Sequence, residues 1–251
     1  MHRYSQAGNI FAIFDDRDGK FSTSVTDVCA KENDGVILLQ NSSSSTFRMR
    51  IFNSDGGEAD MCGNGICCMM KFAIDNGLCG NSCTVQTAKH ILSLQSDGTA
   101  ITATMPPIGN EIFAVSIPLK HKELKGYHIN TGVPHIVIFS DNLETLPIQT
   151  LGAEIRYHNL FSPEGANVTF VYATPNKNEI SIRTYERGIE GETNACGTGA
   201  TAAALATAKI TEKRSPISVK TRSGEILTIA FSLYENSFTD ISLTGIPIFL
   251  N

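Results

Sequence analysis

The chain has 251 residues, 20 Lys and Arg against 25 Asp and Glu for a formal charge of −5, and 41% hydrophobic residues. The length suits one large domain or two of about 100–150 residues, the composition excludes disorder, and a mildly acidic chain without Lys/Arg runs has no electrostatic basis for binding nucleic acid. The first residues lack the apolar stretch of a secretory signal, no run of about 18 apolar residues is present to span a bilayer, and seven cysteines, an odd number in a chain that reads as cytosolic, disfavour a disulfide framework.

Short runs rich in β-formers are expected as strands at Phe11–Phe14, Val36–Leu39, Phe47–Phe52, Val85–Thr87 and Ile101–Met105. The pattern resumes at Ile112–Ile117, His135–Phe139, Val168–Tyr172, Ile180–Tyr185, Ile217–Thr221, Ile226–Phe231 and Asp240–Leu243. Two stretches read as helices: Gly65–Asn76, closed by Gly77, and Gly199–Ile210, which contains the Ala-rich ATAAALATAK. A less regular helical pattern covers Val25–Asn33, and the low-complexity Asn41–Ser45 reads as a hairpin loop.

Each of the two clear helices follows nearly the same segment, GEADMCGNG at Gly57–Gly65 and GETNACGTG at Gly191–Gly199. A glutamate stands four residues before each cysteine, Glu58 before Cys62 and Glu192 before Cys196. Val85 and Thr87 follow Cys62 at the offsets at which Val219 and Thr221 follow Cys196. Upstream, RIFNSDG at Arg50 matches RTYERG at Arg183 if the second copy carries one extra residue, and glycine-led strands open both copies, AGNIFAIFDD at Ala7 and TGVPHIVIFSD at Thr131. Chance similarity of Gly-rich turns does not account for matching offsets on both sides of CGxG. The expectation is duplication of a whole subdomain, with halves at 1–115 and 116–251.

Each repeated cysteine falls where a strand-rich segment meets the first turn of a helix. Unpaired N–H groups and the positive end of the macrodipole converge there, which favours a thiolate and makes an anion site. The following glycine permits close approach of a ligand, and Asn64 or Thr198 can donate or cap. Two such helix starts related by pseudo-symmetry are expected to face a common cleft and grip a carboxylate with a thiol on each side. Inverting a carbon by proton transfer needs such a pair: one base removes the proton and an acid opposite returns one. Cysteine suits both roles, because its unperturbed pKa lies near 8.5. Cys29, Cys67, Cys68, Cys79 and Cys83 read as packing residues. Although five cysteines crowd Cys62–Cys83, their spacing gives no C-x-x-C knuckle for zinc.

These segments resemble the diaminopimelate epimerase family, of the pyridoxal-phosphate-independent racemases. The resemblance runs through GNIFAIFD at Gly8, DGVILL at Asp34, IFNSDGGEADMCGNG at Ile51, GVPH at Gly132, GANVTFV at Gly165 and YERG…GETNACGTG from Tyr185. It implies an α/β (α+β) fold of two pseudo-symmetric domains, each a curved, mostly antiparallel sheet around a central helix, with the active site between them. It also implies Cys62 and Cys196 as the acid/base thiols, His135 assisting the first and Glu186 the second. Asn9, Asn53, Asn167 and Arg187, with the backbones of Gly63, Asn64, Gly197 and Thr198, would bind substrate, Arg187 holding the distant carboxylate. The implied reaction is epimerisation of LL-2,6-diaminopimelate to the meso form, for lysine and peptidoglycan synthesis. No cofactor or metal, a small-molecule substrate, a cytoplasmic location and a homodimer complete the expectation.

The chain also departs from the family pattern. HGxGNDF has become SQAGNIF, so Ile10 stands for Asp; Val133 stands for Asn before Pro-His; Gly35 stands for a glutamine; and Ile189 or Glu190 is extra between YERG and GET. All bear on recognition of the distant end, so relaxed specificity reaching glutamate is one alternative. A non-catalytic amino-acid-binding relative is another. A proline-racemase-type activity is opposed by YERG with Arg187, and a phenazine-type isomerase by retention of both cysteines.

Overall fold

The computed structural model describes residues 1–21, 34–108, 112–120, 122–175, 177–211, 213–235 and 237–251. The Val25–Asn33 pattern and Cys29 lie outside the described residues. The chain forms two compact units, Met1–Met105 with Ser242–Asn251, and Pro106–Ile241. This differs from a linear division at 115/116, because the C-terminal ten residues add strands to the first unit: Ser242–Gly245 pair with Ile101–Thr104, and Ile248–Leu250 with Arg3–Ser5.

The first unit begins with an antiparallel hairpin, His2–Gln6 and Asn9–Asp15, turned by Ala7 and Gly8 at φ 52° and 82°. Asn9–Asp15 runs parallel to Gly35–Gln40, which pairs antiparallel with Phe47–Asn53 around the Asn41–Ser45 loop, the expected hairpin. Phe47–Asn53 then pairs with Glu58–Ala59 and, in parallel, with Ser82–Gln86. Helix α1, Gly63–Asp75, carries the crossover between the last two strands. Gly77, at φ 66°, lets the chain leave the helix while its N–H and that of Leu78 cap the carbonyls of Ile74 and Ala73.

The second unit repeats this order. Glu123–Asn130 pairs antiparallel with Pro134–Phe139, which is parallel to Asn167–Ala173; that strand is antiparallel to Glu179–Glu186. Glu179–Glu186 pairs with Gly191–Thr193 and, in parallel, with Ile217–Lys220. The helix Gly197–Ile210, called α3 below because Ile148–Arg156 (α2) precedes it, fills the place of α1. The match extends to side chains: Arg50 clasps Glu58 with two contacts of 2.8 Å, and Arg183 clasps Glu192 with two of 2.6 Å. The repeated glutamates therefore tie neighbouring strands together through bidentate pairs, which explains their fixed distance from each cysteine.

Strands surround each central helix. Helix α1 packs on His2–Gln6, Asn9–Asp15, Gly35–Gln40, Phe47–Asn53, Ile101–Thr104 and Ile248–Leu250, and α3 on Glu123–Asn130, Pro134–Phe139, Asn167–Ala173, Glu179–Glu186, Ile217–Lys220 and Ile226–Tyr234. A helix covered on all sides must be apolar all round. Ala200, Ala202, Ala203, Ala204, Leu205 and Ala206 are accordingly all 0% exposed.

Helix α2 had no sequence expectation. Its apolar face, Ile148, Leu151 and Ile155, has helical spacing and packs on Ile136, Ile138, Val168, Phe170 and Tyr185. Gly152 in mid-helix obscures the pattern, yet packing requires it, because a Cβ there would lie 2.5 Å from Tyr185 Cβ. Alternate residues of the same strands face α3, so these strands are buried on both faces and read as continuous apolar runs. Gly152→Ala is expected to destabilise the protein by about 1–3 kcal/mol through overpacking, lowering the thermal midpoint. Gly80→Ala, with nothing within 4 Å of the added carbon, serves as the neutral control.

Candidate active site

Cys62 and Cys196 are the N-cap residues of α1 and α3. Both have extended backbones, φ −142° and −128°, and both sulfurs accept the N–H of the glycine three residues on, Gly65 at 3.4 Å and Gly199 at 3.3 Å. Both glycines are closely packed. A Cβ on Gly65 would lie 3.0 and 3.1 Å from Ile51 and Ile37, which are cross-strand partners; one on Gly199 would lie 2.9 and 3.2 Å from the hydroxyls of Thr169 and Thr184, the equivalent partners.

In the first unit the α1 start is lined by a chain of buried amides. Asn64 donates to Asn9 Oδ1 at 2.7 Å and accepts from Gln6 Nε2 at 3.2 Å. Asn9 and Asn64 thus meet as the sequence reading expects, while Gln6, 1% exposed, adds a member that no motif flagged. It occupies the place of the glycine in HGxGNDF, which was the available signal. Asn53 ends its strand, its N–H bonded to Gly57 and its carbonyl to Gly56. Ile10 is held by the side chain of Asp34 through its own backbone N–H, and at Gly35 a Cβ would come within 2.9 Å of the Phe52 carbonyl.

In the second unit Glu186 hydrogen-bonds the Cys196 thiol, and burial with this carboxylate raises the Cys196 pKa well above its ordinary value. Donation by Thr198 and Gly199 works in the opposite direction but does not prevail. A helix start alone favours a thiolate, the sequence expectation; here burial and a neighbouring negative charge outweigh it, and Cys196 rests as a thiol. Thr198 Oγ1 lies 3.3 Å from Cys196 Sγ and 3.0 Å from His135 Nε2, so His135, Thr198, Cys196 and Glu186 form one connected group. Thr131 donates to the Thr198 carbonyl at 3.2 Å, and Thr169 stands 3.5 Å from His135 Nδ1. These buried threonines escaped the sequence reading because strand hydroxyls carry no spacing signal.

Asn167 Oδ1 accepts the backbone N–H of Arg187 at 2.8 Å, and its amide nitrogen donates to the Pro134 carbonyl at 3.3 Å. Asn167, Arg187, Glu186 and His135 are therefore assembled by three neighbouring strands of one unit. The Val133 carbonyl closes the turn before Pro134 by accepting the Thr131 N–H at 3.2 Å. Cys67 and Cys83 behave as packing residues, burial raising both thiols to about 12.

The fold is shared with the solved structures of a PhzF-family phenazine biosynthesis protein and a probable proline racemase. The chain superposes over its full length on a phenazine biosynthesis protein of the PhzF family from Bacillus anthracis, with a TM-score of 0.75, 14% identity and 96% of that chain covered. It likewise matches a probable proline racemase from Agrobacterium radiobacter, with a TM-score of 0.73, 13% identity and 90% coverage. Sequence narrows this further: residues 4–106 and 127–240 match the diaminopimelate epimerase family, to which the chain belongs. The diaminopimelate epimerase of Aquifex aeolicus is 38% identical over 95% of this chain and 91% of its own length, and that of Flavobacterium psychrophilum 36% over 98% and 95%.

His135 is 0% exposed, and burial, with the positive charges of Arg187 and His128, lowers its pKa from 6.5 to about 3. Between these values the unfolded chain binds a proton that the folded protein does not. Stability therefore falls as the pH drops from about 6.5 towards 3, by up to about 1.4 kcal/mol per pH unit for this one group. Denaturant unfolding across that range is expected to show a shallower loss for His135→Gln than for the unchanged protein.

Proposed function

We propose that this protein epimerises LL-2,6-diaminopimelate to meso-diaminopimelate by a two-thiol proton transfer, serving lysine and peptidoglycan synthesis. The observation that carries the reading is the duplicated cap: two cysteines in the same geometry at the starts of two buried helices. In a chain of this family, each start offers backbone N–H groups to the substrate's reacting carboxylate. Those donors stabilise the charge that moves onto the carboxylate as the α-proton leaves.

Cys196, a thiol at rest, is the acid in this assignment and Cys62 the base. Cys62 as thiolate takes the α-proton, the electron pair is held as an enolate-like carboxylate, and Cys196 delivers its proton to the opposite face. Cys62 is left as the thiol carrying the former α-proton and Cys196 as the thiolate, with the carbon inverted by the proton that Cys196 gave up. In the reverse direction Cys196 must first lose its proton, and Glu186 is placed to accept it. His135 enters as a neutral imidazole, assisting proton movement at Cys62 as the family resemblance implies. Arg187, with Asn9, Asn53 and Asn167, recognises the distant centre of the substrate, and Gly63, Asn64, Gly197 and Thr198 hold the reacting carboxylate. No helix among the described residues is long and apolar enough to cross a membrane; a cytoplasmic homodimer acting without cofactor or metal completes the proposal.

Incubation with LL-diaminopimelate in deuterium oxide, following α-deuterium and product stereochemistry, tests the reading. Label is expected at the inverted centre, and absence of exchange by the unchanged protein would sink it. Cys62→Ala and Cys196→Ala should each reduce epimerisation below about a thousandth of the starting rate, whereas Cys67→Ala should leave it within a few-fold. Glu186→Gln should slow turnover while leaving substrate binding nearly unchanged.

A further inference from the structure

The turn between YERG and GET holds the one residue by which the second copy exceeds the first. In the first copy the corresponding turn is closed locally, the Asn53 N–H bonding Gly57 and the Gly56 N–H bonding Asn53. In the second, Glu190 stands in the left-handed region at φ 55°, after Gly188 at φ 92°. Its contacts reach beyond the turn. Its carboxylate accepts Arg156 Nη2 at 3.1 Å, the Gly188 N–H at 3.0 Å and Tyr185 Oη at 3.4 Å. Its own N–H bonds the Glu186 carbonyl at 2.9 Å, and its carbonyl accepts Gln149 Nε2 at 3.2 Å. Arg156 and Gln149 both belong to α2, so the extra residue pins the turn to that helix.

Arg187 lies inside this turn. Its backbone N–H is held by Asn167, and its Nη1 reaches the Glu164 carbonyl at 3.4 Å, the carbonyl to which Arg156 Nη1 also donates at 3.2 Å. Two guanidinium groups thus converge on one acceptor. The Arg156 side chain is 12% exposed, and Glu190 supplies the negative charge that Arg156 needs there.

We infer that Glu190 is a positioning residue for substrate recognition: it clamps the Glu186–Gly191 turn to α2, neutralises Arg156, and thereby directs the Arg187 guanidinium at the second carboxylate of a dicarboxylic substrate. The inference rests on the reading of Arg187 as the group that holds the distant carboxylate. It assigns the extra residue to selectivity rather than to proton transfer, because its one contact with Glu186 is to the backbone carbonyl and not to the carboxylate that bonds Cys196. Removing the clamp lets a rigidly aimed fork swing, and loss of preorganised aim weakens binding without altering the chemistry at the reacting carbon.

The test compares Glu190→Ala, Glu190→Gln, Arg187→Met and the double variant Glu190→Ala/Arg187→Met on the full chain. Diaminopimelate affinity is measured by calorimetry, and kcat and KM by the exchange assay. Glu190→Ala is expected to weaken Kd and raise KM by about tenfold with kcat within about threefold. Glu190→Gln, which keeps an acceptor for the Gly188 N–H but loses the charge, should fall between. Arg187→Met should cost at least as much as Glu190→Ala, and the double variant no more than Arg187→Met alone. The inference is overturned if Glu190→Ala leaves Kd unchanged, if it lowers only the thermal midpoint, or if its effect multiplies in the Arg187→Met background. A Kd unaffected by Arg187→Met would overturn the Arg187 reading as well. Tight binding without α-exchange would instead fault the proposed activity and leave the clamp to be judged on Kd.

Discussion

Everything in the second unit, and its counterpart in the first, hangs on one contact: a cysteine sulfur capping a buried helix by accepting the N–H of the glycine three residues later. The contact exists only because the helix start lies directly on a pair of strands. Ile37 and Ile51 crowd Gly65, and Thr169 and Thr184 crowd Gly199, so a side chain at either glycine would have to displace its neighbours. The helix must also be covered by strands all round, which accounts for the alanine-rich α3. A thiol held this way sits at the one end of the helix that presents backbone donors; Cys196 is buried there and Cys62 is partly exposed. Fold and chemistry are therefore two consequences of one packing arrangement.

The two copies share this frame and differ in what surrounds the sulfur. At the start of α1, beside Cys62 in the chain, the side chains of Asn64, Asn9 and Gln6 form a chain of uncharged amides. Around Cys196 they are a carboxylate, a hydroxyl and, one bond further, a neutral imidazole. Duplication supplied two equivalent positions, and divergence of their neighbours made them chemically unequal. A proton transfer that inverts a centre benefits from that inequality, because one group must start as acid and the other as base.

In the proposed function, recognition of the distant part of the substrate falls to a different layer. Arg187 and Asn167 lie at the strand ends beside Glu186, and their geometry is set by the turn that Glu190 and α2 hold. The residues by which this chain departs from the family pattern, Ile10, Gly35, Val133 and Glu190, each take part in a local backbone or packing contact. None replaces a group at either sulfur.

The sequence by itself determined the duplication, the two helices and the strands that flank them, because glycine, alternating apolar residues and the repeated CGxG are local signals read at fixed spacing. It also singled out both thiols, and Glu186 and Arg187 through YERG. It was silent on α2, where Gly152 breaks the helical pattern to make room for Tyr185, on the last strand Ile248–Leu250, and on the partners of the C-terminal strands at Arg3–Ser5 and Ile101–Thr104. The protonation state of Cys196 was likewise beyond it. A helix start argues for a thiolate, and only the folded chain brings burial and the Glu186 charge together to reverse that preference. Local chemistry is written along the chain; desolvation and the meeting of residues distant in sequence arise only when strands pack, and these raise the Cys196 pKa.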